Sequence, residues 1–314
     1  MPERPELDYV VPILARELTG ASITDLRVDS PVVLRVALRE PAAEVLPGAV
    51  IEGVIRRAHF VVFTLRGASG RALELVVAPM LAGRFSLDPP TARRTADLAL
   101  TLSLSDGREL RYRDDVQMGK AYVIEAGGRR NVPGLETIGV DVLDAKSFTR
   151  AAFRALARTR RDQVKVFLMD KSALDALGNA YADEVLFEAR IHPKTFVRSL
   201  SLPEVDRLHD AVVTVIVEAS AEVARRAPPL DEKVRDFLKV RNRHGKPCPR
   251  CGGAIRKAGV HGHDAFFCPT CQPDERGSSI VDFRAVALPE AAAIKAPAKA
   301  PAKAPAKPRG RSRS

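Results

Sequence analysis

The sequence has no tryptophan, is only 5% aromatic, and holds just four cysteines, all between positions 248 and 271. A general disulfide framework therefore has no material to work with. No apolar run approaches the roughly 20 residues of a membrane-spanning helix. Residues 1–20 carry Glu3, Glu6 and Asp8 where a secretory signal would place basic and then apolar residues. These absences lead us to expect a cytoplasmic protein with no membrane partner. Acidic residues are also missing after Glu290, where Lys295, Lys299, Lys303, Lys307, Arg309, Arg311 and Arg313 stand unopposed. They supply seven of the +11 net charges, so a mildly basic body carries a strongly basic tail. That asymmetry suits a polyanion, most simply nucleic acid; a tail that only aids solubility fits the composition equally.

What is present divides the 314 residues into four sections. Residues 1–146 open with an amphipathic helix, Leu7 to Leu18, with Leu7, Val10, Val11, Leu14 and Leu18 on one face. Strand-like runs follow: "VVLRVAL", "GVIRRAHFVVFTL", "LELVVAP", "LALTLSL", "LRYRD" and "AYVIEA", with turn signals at "RGASG" and "SDG". The pattern predicts a β-sandwich or barrel with one helix. From 147 to 244 the period becomes helical, in "SFTRAAFRALARTR", "DQVKVFLMDKSALDAL", "AYADEVLFEARI" and "PEVDRLHDAVVTVIVEASAEVARR". Residues 245–275 hold the cysteines. Residues 276–314 end in Ala-Pro-Ala-Lys repeats that form no core and predict an extended basic arm.

Cys248, Cys251, Cys268 and Cys271 are spaced Cys-x2-Cys-x16-Cys-x2-Cys. Each knuckle aims two thiolates at one point, and two knuckles close a tetrahedron around one structural Zn2+ with no position left for water. The intervening residues predict a hairpin turning near His261–Asp264, with His261 and His263 at its tip rather than on the metal.

The opening "MPERPE" poses a chemical question. As a leader it is a helix entry, with Pro5 in the first turn and acids at the positive helix end. If Met1 is trimmed, the Pro2 nitrogen becomes a secondary amine able to attack an electrophilic carbon.

Taken together, the Pro-Glu terminus, the segment "DALGNAYADEVLFEARIHP", and a cysteine hairpin running from "LKVRNRHGKPCPRCG" to "FFCPTCQ" resemble the formamidopyrimidine-DNA glycosylase/endonuclease VIII family, as a divergent member, over about residues 2–272. The resemblance implies an α+β multidomain fold: an N-terminal β-sandwich with one long helix, a helix–two-turn–helix domain and a C-terminal zinc β-hairpin. It also implies a monomeric, nucleoid-associated enzyme acting on damaged DNA. Pro2 falls on the family nucleophile that attacks C1′ of a flipped nucleotide. Glu3 falls on the acid that protonates the opening sugar, and Glu6 on a second carboxylate that holds terminus and sugar. A carboxylate beside a cationic amine stays ionised unless burial raises its pKa. Asn179 and Lys165 fall on phosphate contacts; residue by residue, Asn179 could instead be a helix N-cap and Lys165 a solvated helix lysine.

Departures from the family pattern cluster around the base. "RRAHF" supplies His59 where a lysine is usual, and "APMLAGR" offers Leu81, or Met80 in a shifted register, as the wedge. "DDVQMG" puts Val116 or Gln117 where an arginine would meet the orphaned base, and Met118 in place of an aromatic wedge. The zinc-hairpin arginine falls on His263. "VRDFLKVRNRHG" passes almost directly from helix to cysteines, without a long lesion-capping loop. Because Pro2, Glu3, Glu6 and Asn179 are kept, these changes are read as altered lesion choice, toward oxidised pyrimidines, ring-opened purines or other modified bases. The rival reading is a damaged-DNA-binding protein without glycosylase activity; an RNA-associated zinc protein fits the doubled Pro-Glu poorly.

The tail's cations displace counterions from a duplex in either reading. Deleting 291–314 is expected to weaken duplex binding and flatten its salt dependence. Identical slopes of log Kd against log salt for full-length and truncated protein would contradict that role.

Overall fold

A computed structural model describes residues 2–175 and 177–274. The basic segment 276–314 expected to form an extended arm lies outside the described residues.

Helix α1 (Arg4–Leu18) starts earlier than its apolar stripe suggests, because the terminus carries its own capping box. Glu6 reaches back to accept a hydrogen bond from the Glu3 N–H at 2.7 Å. Leu7, Val11, Leu14 and Leu18 are buried in the sandwich core. The same helix packs against β3 (Val50–Arg57) and against the long helix α6 (Leu202–Arg226), so it bridges the β-rich and helical sections.

An antiparallel and a mixed sheet face each other across that core. One orders β1 (Ile23–Val28), β7 (Leu98–Leu104), β8 (Glu109–Arg113) and β6 (Arg84–Asp88). The other orders β2 (Leu34–Val36), β9 (Lys120–Glu125), β5 (Ala72–Ala78), β4 (Phe60–Arg66) and β3, with β2 parallel to β9. Short helix α2 (Ala42–Val45) joins β2 to β3. The second sheet is covered on both faces. Phe63, Leu75 and Val123 face the sandwich core, while Phe60, Val62, Val76 and Ile124 face a smaller cluster with Val132 and Leu135. Double covering explains why "FVVFTL" reads as a continuous apolar run rather than an alternating one.

Sequence and structure differ at three places here. β1 and β6 were not anticipated, since "ITDLRV" and "RFSLD" carry too many polar residues to stand out. "GVIRRAHFVVFTL" is not one strand but parts of β3 and β4, folded at Ala58, whose φ of 51° is an uncommon turn signal for alanine. In the helical section, α3 (Arg150–Arg158), α4 (Val164–Met169), α5 (Asn179–Ala189) and α6 surround one core. The helix expected through "DQVKVFLMDKSALDAL" stops at Met169, because Asp170 turns the chain by accepting from the Ser172 N–H at 3.0 Å and hydroxyl at 2.6 Å.

Strands β10 (Arg256–Val260) and β11 (His263–Phe267) form the expected cysteine hairpin, turning at His261 and Gly262 with φ of 44° and 78°. Phe187 of α5 shares its core with Val240, Cys248, Ile255, Phe266 and Cys268. Between α6 and the hairpin the chain is not helical. The buried carboxylate of Glu184 organises it, accepting from the backbone N–H groups of Lys239 (2.8 Å), Val240 (3.0 Å) and Arg241 (2.8 Å). Removing such an acceptor strands several donors. Glu184→Ala is therefore expected to cost about 2–4 kcal/mol, read as a lower urea midpoint with unchanged slope.

Candidate active site and DNA-facing surface

Helix α5 begins without a side-chain cap of its own, since its N-cap residue is Gly178. Its exposed N–H groups are satisfied from the far end of the sequence. The Glu3 carboxylate accepts from Gly178 N–H (2.9 Å), Ala180 N–H (3.0 Å) and Tyr181 N–H (3.1 Å). Gly178 is required by this contact: a Cβ there would lie 2.6 Å from the Glu3 carboxyl carbon. Glu3 is 2% exposed. Burial pushes its pKa up; Arg235 and the backbone donors pull it down, and Glu6 adds to the rise. The net rise keeps a proton on this carboxyl further toward neutral pH than on a solvated glutamate.

Glu6 lies beside it. Its Oε1 accepts from Arg235 Nε at 2.7 Å and from the Tyr181 hydroxyl at 3.2 Å. Arg235 also approaches Glu3 at 3.6 Å and lies over the Tyr181 ring, 5.4 Å from its centroid. Pro2 lines a pocket with Glu6, Leu7, Gly83, Arg84, Leu230 and Lys233. The stretch after α6, read from sequence as a short link to the cysteines, thus enters the site through Leu230, Lys233 and Arg235. Sequence reasoning missed Arg235 because nothing in "EKVRDF" distinguishes it from a surface arginine.

A second set of ion pairs fixes the neighbouring elements. Arg4 pairs with Asp8 (3.1 Å), Asp141 and Asp175 (3.3 Å). Arg56 of β3 pairs with Asp8 (2.8 Å) and Asp175 (2.7 Å). Asp175 sits in the turn before α5, so this network ties α1, β3 and the helical section at one point.

The candidate phosphate contacts are placed differently from one another. Asn179 is the first residue of α5, not its cap; the capping is done by Glu3, and the Asn179 Oδ1 is buried with no hydrogen-bond partner among the described residues. Lys165 corrects both sequence readings. It is 0% exposed, paired with Asp183, and donates to the Asp264 carbonyl at 2.7 Å. Its ammonium therefore holds α4, α5 and the hairpin together inside the protein instead of standing at the surface as a phosphate contact or a solvated lysine. Arg241 completes this junction, contacting Asp183 at 2.9 Å and the Asp264 carbonyl at 3.1 Å. Tyr181, Asp183 and Glu184 of "GNAYADE" are thus each spent on an internal anchor.

His263 opens β11 and is exposed, one residue from that anchored carbonyl. His59 is 8% exposed, and its Nδ1 has no partner among the described residues. Burial, and then the charge of Lys171, push its pKa down to about 3, so its imidazole is neutral at physiological pH.

Two loops present apolar side chains. Leu81 is 53% exposed and Met118 44%, with Val116 at 50%. Of the two registers considered, Leu81 is the outward residue; Met80 packs partly against the Phe60 cluster. Gln117 is exposed with φ of 56°. The Asp114 carboxylate shapes its loop, accepting from the N–H groups of Val116 (3.2 Å), Gln117 (3.0 Å) and Gly119 (2.6 Å). Both loops meet the Tyr112 hydroxyl, which a Cβ at Gly83 or Gly119 would overlap at 2.2 or 1.9 Å. Lys233 donates to the Leu81 carbonyl at 3.1 Å, linking the Leu81 loop to the Pro2 pocket.

The four cysteine sulfurs lie within 4.8 Å of one another, and no other His, Cys, Asp or Glu joins them among the described residues. Cys251 and Cys268 Sγ are 3.4 Å apart and Cys248 and Cys271 Sγ 3.9 Å. Zn–S bonds of about 2.3 Å place tetrahedral sulfurs about 3.8 Å apart, so this set fits one structural zinc.

The chain matches the family models described as the formamidopyrimidine-DNA glycosylase N-terminal domain over residues 1–121, its H2TH domain over 138–226, and the zinc finger found in FPG and IleRS over 245–273. It is 32% identical over 281 residues to the formamidopyrimidine-DNA glycosylase of Pelotomaculum thermopropionicum, covering 87% of this chain and 99% of that one. The chain belongs to the formamidopyrimidine-DNA glycosylase family. The Symbiobacterium thermophilum member is 33% identical, with 91% and 93% coverage. Among solved structures, Lactococcus lactis Fpg with abasic-site DNA superposes with a TM-score of 0.78 at 26% identity, covering 87% of this chain and all of that one. The same Fpg with oxidised-pyrimidine DNA also gives 0.78. The four-cysteine zinc finger and the α+β architecture are those of the family. Among the described residues no helix is long and apolar enough to cross a membrane.

His59 gives a pH test. Below about pH 6.5 an unfolded chain takes up a proton that folded His59 refuses until about pH 3, so acid favours unfolding across that window. The wild-type protein is expected to lose stability between pH 6 and 4 by up to about 1.4 kcal/mol per pH unit more than His59→Gln, measured by urea unfolding. Parallel losses would place His59 in solvent-like surroundings.

Proposed function

We propose that this protein is a base-excision-repair DNA glycosylase with abasic-site lyase activity, in which the Pro2 nitrogen is the nucleophile. Family membership supports the activity, and the observation that carries the residue assignment is the joining of the terminus to α5 by Glu3. That contact holds Glu3, the residue after Pro2, at the helix start carrying Asn179, and Pro2 itself lines the pocket with Glu6 and Lys233.

In this reading the amine, freed by removal of Met1, bonds to C1′ of a flipped nucleotide and the glycosidic bond breaks with its electrons on the base. Glu3 protonates the ring oxygen as the sugar opens, leaving an iminium between Pro2 and C1′. The iminium acidifies the C2′ proton; its loss expels the 3′ phosphate, a second elimination expels the 5′ phosphate, and water releases the amine. A carboxyl whose pKa is raised by burial is suited to carry these protons. Glu6 and Arg235 position the terminus. Asn179 and His263 contact the backbone, His59 lies beside the lesion without charge, and Leu81, Gln117 and Met118 occupy the gap and meet the orphaned base. Lys165 acts indirectly, by locking the hairpin to α4 and α5.

The substrates we assign are oxidised pyrimidines, ring-opened purines or other modified bases, and abasic sites. The protein works as a monomer on chromosomal DNA in the cytoplasm. The four-cysteine zinc holds the hairpin that presents His263 and takes no part in bond breaking.

Borohydride reduction of the mixture with an abasic-site duplex is expected to trap a covalent adduct at Pro2, and Pro2→Gly to lower trapping at least 100-fold while duplex binding persists. Undiminished trapping in that variant, mapped to another amine, would overturn the assignment.

A further inference from the structure

The chain after α6 crosses the candidate site as a short strap, pinned on either side of Lys233. Before it, the Tyr9 hydroxyl donates to the Pro228 carbonyl at 2.9 Å and the Glu232 N–H to the Pro229 carbonyl at 3.0 Å, while Leu230 packs against the sandwich core. After it, Arg235 Nε donates to Glu6 at 2.7 Å. Lys233 stands between these anchors, half-buried, in the wall of the pocket that Pro2 and Glu6 also line.

Its ammonium has a defined place. It donates to the Leu81 carbonyl at 3.1 Å and, among the described residues, makes no other hydrogen bond and no ion pair. The loop carrying that carbonyl is fixed in turn, because the Gly83 N–H donates to the Pro79 carbonyl at 2.8 Å and Gly83 abuts the Tyr112 hydroxyl. An ammonium has three N–H donors, so two of them are left for whatever enters the pocket. The neighbouring cations are matched to carboxylates: Arg84 pairs with Asp97 at 2.9 Å and Arg235 with Glu6. Burial, and then the charge of Arg235, push the Lys233 pKa down, so this cation gains more than a solvated lysine does when an acceptor or anion arrives.

The chemistry limits what can arrive. A base still joined to C1′ lies one bond from the atom that Pro2 attacks, so it enters beside this wall. The enclosed space is about 20 Å3, enough for one water and not for a base. A flipped base therefore displaces the contact between Lys233 and Leu81, and the ammonium needs a new acceptor. Oxidised pyrimidines such as 5-hydroxyuracil bring ring carbonyls at C2 and C4, which only accept. When the C1′–N1 bond breaks, its electron pair stays on the ring and spreads onto those oxygens, so the acceptor grows more negative as the base leaves.

We propose that Lys233 exchanges the Leu81 carbonyl for a carbonyl oxygen of the flipped base and stabilises the negative charge that develops there. This assignment rests on the glycosylase–lyase reading above. It makes Lys233 a base-contacting residue that favours lesions with a carbonyl on the leaving ring. An abasic site has no base to present and gains nothing from the exchange.

The test uses the full-length protein in single turnover on two duplexes, one with 5-hydroxyuracil, read as free base released, and one with an abasic site, read as strand cleavage. Lys233→Met keeps the side-chain length and removes the charge. It is expected to lower base release about 100-fold, the effect of removing one donor from a developing oxyanion, and abasic-site cleavage by only about threefold, through the lost tie to the Leu81 loop. Lys233→Arg keeps the wild-type ratio of the two rates. A purely structural role would lower both rates alike. Urea unfolding accompanies each variant, and Lys233→Gln replaces Lys233→Met should the latter not fold. Equal losses on the two duplexes, or base release by the wild type no faster than by the neutral variant, overturn the proposal. Absence of both abasic-site cleavage and borohydride trapping in the wild type would instead overturn the enzymatic reading, and this proposal with it.

Discussion

Glu3 and helix α5 are 175 residues apart in sequence at their first hydrogen bond, yet one carboxylate satisfies three N–H groups of that helix start. Most of the site follows from this contact. A helix opening on Gly178 needs an outside acceptor, and that acceptor directly follows Pro2, which lines the pocket with Glu6 and Lys233. The contact also buries Glu3, and burial is what raises its pKa. A single interaction thus places the proposed nucleophile and conditions the proposed acid next to it.

The surrounding ions are divided between holding and doing. Arg4, Arg56, Lys165 and Arg241 are matched to carboxylates supplied by the fold, an arrangement that fixes geometry more than it adds stability. Glu184 does the same for the stretch after α6 by collecting its N–H groups. The residues proposed to meet DNA are carried on turns and loops: Asn179 at a helix start, His263 at a hairpin tip, Leu81 and Met118 on two loops meeting at Tyr112. A rigid frame with short, exposed, individually anchored contacts is how a protein can vary its lesion-facing residues without disturbing the sugar chemistry.

The parts legible in the sequence were those with a strong local signal. The cysteine spacing announced the hairpin, the Pro-Glu terminus and "GNAYADE" announced the family, and continuous apolar runs marked the doubly covered sheet. What escaped depends on long-range pairing. Beside its reading as a phosphate contact, Asn179 could be taken for a cap, because the true cap, Glu3, comes from the other end of the chain. Lys165 read as a phosphate contact or a solvated lysine because its partners, Asp183 and the Asp264 carbonyl, lie 18 and 99 residues away. Arg235 sat in a stretch with no periodicity, and β1 and β6 had too few apolar residues to be seen.

The direct test of the terminus-to-helix account is Gly178→Ala. The backbone there is extended, at φ −134°, so alanine adds no conformational strain, only a Cβ 2.6 Å from the Glu3 carboxyl carbon. The account predicts a folded, zinc-bound, DNA-binding protein whose rate of covalent trapping to an abasic site falls at least 100-fold. Trapping at the wild-type rate would mean that Pro2 reaches its carbon without the Glu3 cap, and the account would be wrong.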